Sequence, residues 1–124
     1  MKRFFTVLFI TIALFFTSSA DDGSTAEINL LHQGHDDHIE HYAPADMPEA
    51  FYDSDLQEIV IEADGFASYY YVEIFQTGYT VPVIATQIDG YGDTIDVSSL
   101  SDGDYTIVIT SEYNNVYYGY FAIE

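Results

Sequence analysis

Apolar and polar side chains alternate along much of this chain. In "LQEIVIEA" (56–63), Ile59 and Ile61 fall on one side and Glu58 and Glu62 on the other. In "ASYYYVEIFQT" (67–77), Tyr70, Val72 and Ile74 oppose Tyr69, Tyr71 and Glu73. In "DYTIVITS" (104–111), Tyr105, Ile107 and Ile109 share a side. In "NVYYGYFAIE" (115–124), Gly119, Phe121 and Ile123 oppose Tyr118 and Tyr120. A period of two is that of a strand with one face buried. "MPEAFYD" (47–53), "YTVPVIATQI" (79–88) and "DTIDVSSL" (93–100) read as strands too. Proline has no N–H for a ladder, so Pro48 is expected at a sheet edge and Pro82 at an edge or a bulge. Turn formers separate the runs: "ADG" at 63–65, "TG" at 77–78, "DGYGD" at 89–93, "SDGD" at 101–104 and "YNN" at 113–115. No helical period interrupts them. Short strands roughly ten residues apart predict an antiparallel β-sandwich of about seven strands over residues 45–124.

One motif sharpens the fold class. "SSLSDGDYTIVIT" places Leu100, Gly103 and Tyr105 in the spacing L-x-x-G-x-Y just ahead of a strand. That is the pattern of a tyrosine corner, in which the phenol bonds back to the preceding loop, and it points to an Ig-like sandwich. With "MPEAFYDSDLQEIVIEA" and the closing "NNVYYGYFAIE", this segment resembles the small secreted proteins of Bacteroides and relatives grouped as the DUF3244 family. The resemblance covers most of residues 27–124. It implies an Ig-like β-sandwich with no established activity, and it carries over no catalytic residue.

The first twenty residues read differently. Lys2 and Arg3 precede the apolar run "FFTVLFITIALFF", and "TSSA" ends at a small residue, Ala20. These are the three regions of a secretory signal, with cleavage expected after Ala20. The run is shorter than the ~17 residues that a membrane span needs. No Cys follows it, so no lipid anchor is expected, and the destination is periplasmic or extracellular. Residues 21–44 are polar and acidic, interrupted by Ile28, Leu30 and Leu31. They read as a tether, with room for one short strand at 27–31.

Charge narrows the partners. The chain has 21 Asp and Glu against two basic side chains, Lys2 and Arg3. Beyond the signal there is neither Lys nor Arg. Nucleic acid and anionic membrane are bound through basic patches, so both are excluded as partners. Basic proteins, cations and neutral glycans remain. With no Cys, no disulfide staples the fold. Stability is expected to be modest and to improve with salt, since acidic self-repulsion opposes compaction.

Three constellations hold candidate chemistry. All four histidines, His32, His35, His38 and His41, recur at every third position with Asp36, Asp37 and Glu40 among them. Imidazole and carboxylate are ligands for zinc or copper. Adjacent pairs converge on one helical turn, whereas an extended chain holds them about 9 Å apart, too far to share an ion. A solvated tether, a transition-metal site and a pH-sensitive imidazolium contact all fit. The second constellation is the acidic loops around Asp53 and Asp55, Asp89, Asp93 and Asp96, and Asp102 and Asp104, where weak calcium binding is expected without an EF-hand frame. The third is aromatic: Tyr69, Tyr71, Tyr118 and Tyr120 are expected to point outward, where a flat aromatic face stacks on a sugar ring or a protein partner. There is no Cys nucleophile, no G-x-S-x-G and no glycine-rich phosphate loop. A non-catalytic binding module is the expectation, and metal capture by the histidine tether the alternative.

Overall fold

A computed structural model describes residues 25–33 and 46–124. The signal segment, and His35, Asp36, Asp37, His38, Glu40 and His41, lie outside the described residues. Nine strands are described: β1 (Thr25–Ile28), β2 (Leu31–Gln33), β3 (Glu49–Asp53), β4 (Glu58–Glu62), β5 (Tyr69–Gln76), β6 (Ile84–Asp89), β7 (Gly92–Asp96), β8 (Gly103–Ser111) and β9 (Val116–Ile123). They form two sheets, ordered β1-β3-β4-β7 and β2-β9-β8-β5-β6, and every pairing is antiparallel. The fold is an Ig-like β-sandwich.

Strands β3 to β9 are the seven expected from the alternation. Ile59, Ile61, Tyr70, Val72, Ile74, Tyr105, Ile107, Ile109 and Tyr117 bury their side chains between the sheets. Burying an aliphatic or aromatic side chain contributes about 1.5–3 kcal/mol, so this inner layer is the main source of stability. The tyrosine corner is present: the Tyr105 hydroxyl donates to the Ser101 carbonyl at 2.6 Å.

Three details differ from the sequence reading. The strand read at 79–88 begins only at Ile84. Gly78 turns the chain at φ +94°, and the Val83 N–H reaches back to the Ile74 carbonyl at 2.7 Å, so residues 77–83 form a loop that contains Pro82. Pro48 precedes a strand that is internal, because β1 covers the far side of β3. The third difference concerns the acidic segment at 21–44. Its residues 25–33 make two short strands, one in each sheet, where the sequence suggested one.

The crossing between those strands is buried. Ile28 and Leu30 enter the core as the chain passes from β1, beside β3, to β2, beside β9. Gly119 on β9 makes room for it. A Cβ there would lie 2.7 Å from Ile28 Cγ2 and 3.0 Å from the Asn29 carbonyl oxygen. Residues 28–30 therefore close one flank of the sandwich at a position where β9 carries no side chain.

Candidate functional site

The two outer faces of the sandwich differ in chemistry. On the four-stranded sheet, alternation turns Glu27, Glu49, Asp53, Glu58, Glu62 and Asp96 outward. Several are direct cross-strand neighbours: Glu49 faces Glu62, Asp53 faces Glu58, and Glu58 faces Asp96. Like charges opposite one another destabilise a sheet, so this face is kept at a cost.

The five-stranded sheet turns out Tyr69, Tyr71, Glu73 and Phe75 from β5, Thr106, Val108 and Thr110 from β8, and Val116, Tyr118 and Tyr120 from β9. The register sets Leu31, Tyr118, Val108 and Glu73 in one row across four strands, and Tyr120, Thr106 and Phe75 in the next. Tyr69, Tyr71 and Tyr120 are exposed and Tyr118 is half-buried. The Tyr118 and Tyr120 rings meet edge to face at 6.1 Å. Glu73 is the one carboxylate amid these rows, with Asp89 and Asp104 toward the strand ends. Beside Tyr120 a groove of about 420 Å³ is lined by Thr77, Asp104, Tyr105, Phe121 and Ala122. The four tyrosines therefore share one face, and Leu31, Phe75 and Val108 extend it. Phe75 and Val108 were legible from the same alternation, whereas Leu31 required the pairing of β2 with β9.

His32 is placed elsewhere. It lies opposite Tyr117 in β2, with the ring centroids 5.3 Å apart. Tyr117 points inward, and its hydroxyl donates to Asp46 Oδ1. Asp46 is only 1% exposed. Asn115 Nδ2 donates to both of its carboxylate oxygens at 3.0 Å, and Ser111 supplies a further side-chain hydrogen bond. The Asp46 carbonyl accepts the Tyr70 hydroxyl at 2.6 Å. This is a buried carboxylate held by neutral donors. Burial alone pushes its pKa up, but the hydrogen bonds from Ser111, Tyr117 and Asn115 outweigh that and hold it below the usual aspartate value. The Tyr70 hydroxyl is pushed up to about 12 by burial and by the Asp46 charge, and Tyr117 is pushed up by burial and its bond to Asp46. The network fastens the start of β3 to the β8–β9 turn and so ties the two sheets together.

Among the described residues no group of three or more His, Asp and Glu side chains is placed to hold a metal ion. The loop carboxylates act as turn caps. Asp53 Oδ1 accepts the N–H groups of Asp55 and Leu56, and Asp96 Oδ1 that of Ser98, which lowers the Asp96 pKa. The Asp89 and Asp93 carboxylates accept the N–H groups of Tyr91 and Thr94.

No family model matches the chain, and no curated protein does. A solved structure is similar: a DUF3244 family protein with an immunoglobulin-like β-sandwich fold from Bacteroides vulgatus. It is 15% identical, with a TM-score of 0.62 over 81% of this chain and 99% of that one. At that identity the likeness is one of fold. It is a likeness to a member of the family that the sequence resembles.

Proposed function

We propose that this protein is an exported, non-catalytic binding module that meets a protein or glycan partner through the outer face of its five-stranded sheet. What supports this reading is the contrast between the two faces. In a chain with 21 acidic residues, six carboxylates turn out from one sheet, whereas the other has Glu73 within its outer rows and Asp89 and Asp104 toward the strand ends, with tyrosines between them. Tyrosine combines a flat apolar ring with a hydroxyl, and it immobilises few torsions on binding, so it suits contact with a sugar ring or a protein surface. The groove beside Tyr120 gives the face relief.

The test is a glycan array and a pull-down from the native environment, each run with the parent protein and with Tyr118→Ala and Tyr120→Ala. Binding that falls by tenfold or more in both variants supports the face as the recognition surface. A partner captured equally well by all three proteins would refute it.

A further inference from the structure

We infer that the end of the sandwich where residues 63–68, 90–91 and 112–115 meet is a second recognition surface, built to receive an arginine side chain of a basic protein partner. Three aromatic rings stand there, one from each loop. Phe66 is 57% exposed, Tyr91 72% and Tyr113 55%. Aromatic side chains are not among those that turns favour, which are Gly, Pro, Asn, Asp and Ser. Two of these rings meet: Phe66 and Tyr113 have centroids 5.9 Å apart. Tyr91 lies on Gly65, whose φ of +83° and missing side chain admit the ring; a Cβ there would run into it. Tyr91 thus rests against backbone at Gly65, and the ring stays largely in solvent.

The loops are fastened to each other before any partner arrives. Gly65 N–H donates to the Gly90 carbonyl at 3.0 Å, and Gly90 N–H to the Ser68 carbonyl at 3.0 Å. Ser68 N–H donates to Glu112 Oε2 at 2.8 Å, which links the first loop to the third. Such fastening lowers the ordering cost of binding. This end of an Ig-like sandwich is also the one that presents recognition loops in variable domains.

Charge selects the occupant. Asp64, Asp89 and Glu112 lie in or beside the same loops, and each is held by a backbone N–H bond: Asp64 to Phe66, Asp89 to Tyr91 and Glu112 to Ser68. Glu112 also accepts the Tyr113 hydroxyl. Beyond Lys2 and Arg3 the chain has no Lys or Arg to neutralise them. Exposed ring faces beside carboxylates suit a guanidinium, which stacks on the ring and pairs with the carboxylate. A neutral sugar would use the rings but gain nothing from the charge.

The test is a titration of the protein with a fluorescein-labelled peptide of alternating arginine and glycine, in 150 mM NaCl. The comparison peptide carries citrulline, which keeps the planar group and removes the charge. The variants are Phe66→Ala, Tyr91→Ala and Tyr113→Ala, all unchanged in net charge, with Tyr91→Phe as the conservative control. Far-UV circular dichroism checks that each is folded. We expect the arginine peptide to bind at least tenfold more tightly than its citrulline counterpart. Each alanine variant should weaken it about three- to tenfold, and Tyr91→Phe should bind like the parent. Equal affinity in the parent and all three alanine variants would assign the attraction to diffuse acidity and overturn the proposal. So would binding of neutral cello- or chito-oligosaccharides at these rings with no preference for arginine over citrulline. Tyr120→Ala lies on the sheet face and should leave this titration unchanged, so the two surfaces succeed or fail separately.

Discussion

Replacing Tyr117 by Phe tests the physical reading of the buried carboxylate. The substitution keeps the ring, which is fully buried, and deletes the hydroxyl that donates to Asp46 Oδ1. A hydrogen bond to a charged group contributes about 1.5–3 kcal/mol, so a loss of about 2 kcal/mol is expected at pH 7. Urea is the denaturant of choice, because guanidinium would also screen a chain this acidic. For a protein of this size that loss lowers the urea midpoint by roughly 1–2 M. The pH dependence separates this account from a mere packing defect. Asp46 is held below its ordinary value of 3.8 in the folded state, so it contributes stability above that value and the contribution fades as pH falls through the folded pKa. Losing a donor raises the folded pKa, so the variant's acid loss starts at the same unfolded value but is complete at a higher pH, and is smaller. Once Asp46 is protonated in both proteins, the donor to its charge no longer matters. The difference between parent and variant should therefore shrink as the pH is lowered through the two folded pKa values. Tyr105→Phe is the internal control, since its hydroxyl bonds a neutral carbonyl, Ser101. It should cost about 1 kcal/mol across the same pH series. A Tyr117→Phe cost below about 0.5 kcal/mol at pH 7, or one that does not shrink anywhere in the acid series, would refute the reasoning.

Gly119→Ala forces a Cβ against Ile28, Asn29 and Leu30, and overpacking of this kind costs about 1–3 kcal/mol; amide hydrogen exchange should speed up first in β1 and β2. Glu62→Gln relieves its repulsion with Glu49 across β3 and β4 and should stabilise the fold by roughly 0.2–1 kcal/mol, read as a higher thermal midpoint. The gain should shrink in 1 M NaCl, where the parent's own midpoint rises and screening has already removed the repulsion. Prolonged trypsin digestion of denatured protein should leave residues 4–124 uncut, since Lys2 and Arg3 are the only Lys and Arg; a specific internal fragment would contradict this.

The parts of the fold that were legible in the sequence are those governed by local physics. Alternation over 58–62, 69–76, 103–111 and 116–123 exposes itself because each strand buries one face. The tyrosine corner is visible because Tyr105 and Ser101 are four residues apart. Strands β1 and β2 are harder to read. "TAEI" and "LHQ" are short and mostly polar, and only Ile28 and Leu30 mark the burial. The Asp46 network has no local signature at all. Its partners Ser111, Asn115 and Tyr117 lie more than sixty residues further along the chain, and nothing in "ADMP" marks Asp46 as buried. Of the candidate sites, the outward tyrosines followed from period two. Phe66, Tyr91 and Tyr113 are visible as aromatics within or beside turn segments, but that three turns meet at one end is a property of topology.

The crossing at residues 28–30 has a consequence for the order of folding. Its first strand rests on β3, but its second rests on β9, the last of the described strands, and Gly119 of β9 supplies the space for the crossing itself. A ribosome releases Ile28 and Leu30 some ninety residues before Gly119. Contacts between residues far apart in sequence form slowly, because loop-closure entropy is lost before they are made. The flank of the sandwich therefore cannot shut until β9 has been made. Until then the chain remains open, with two apolar side chains waiting for a strand that has yet to be made.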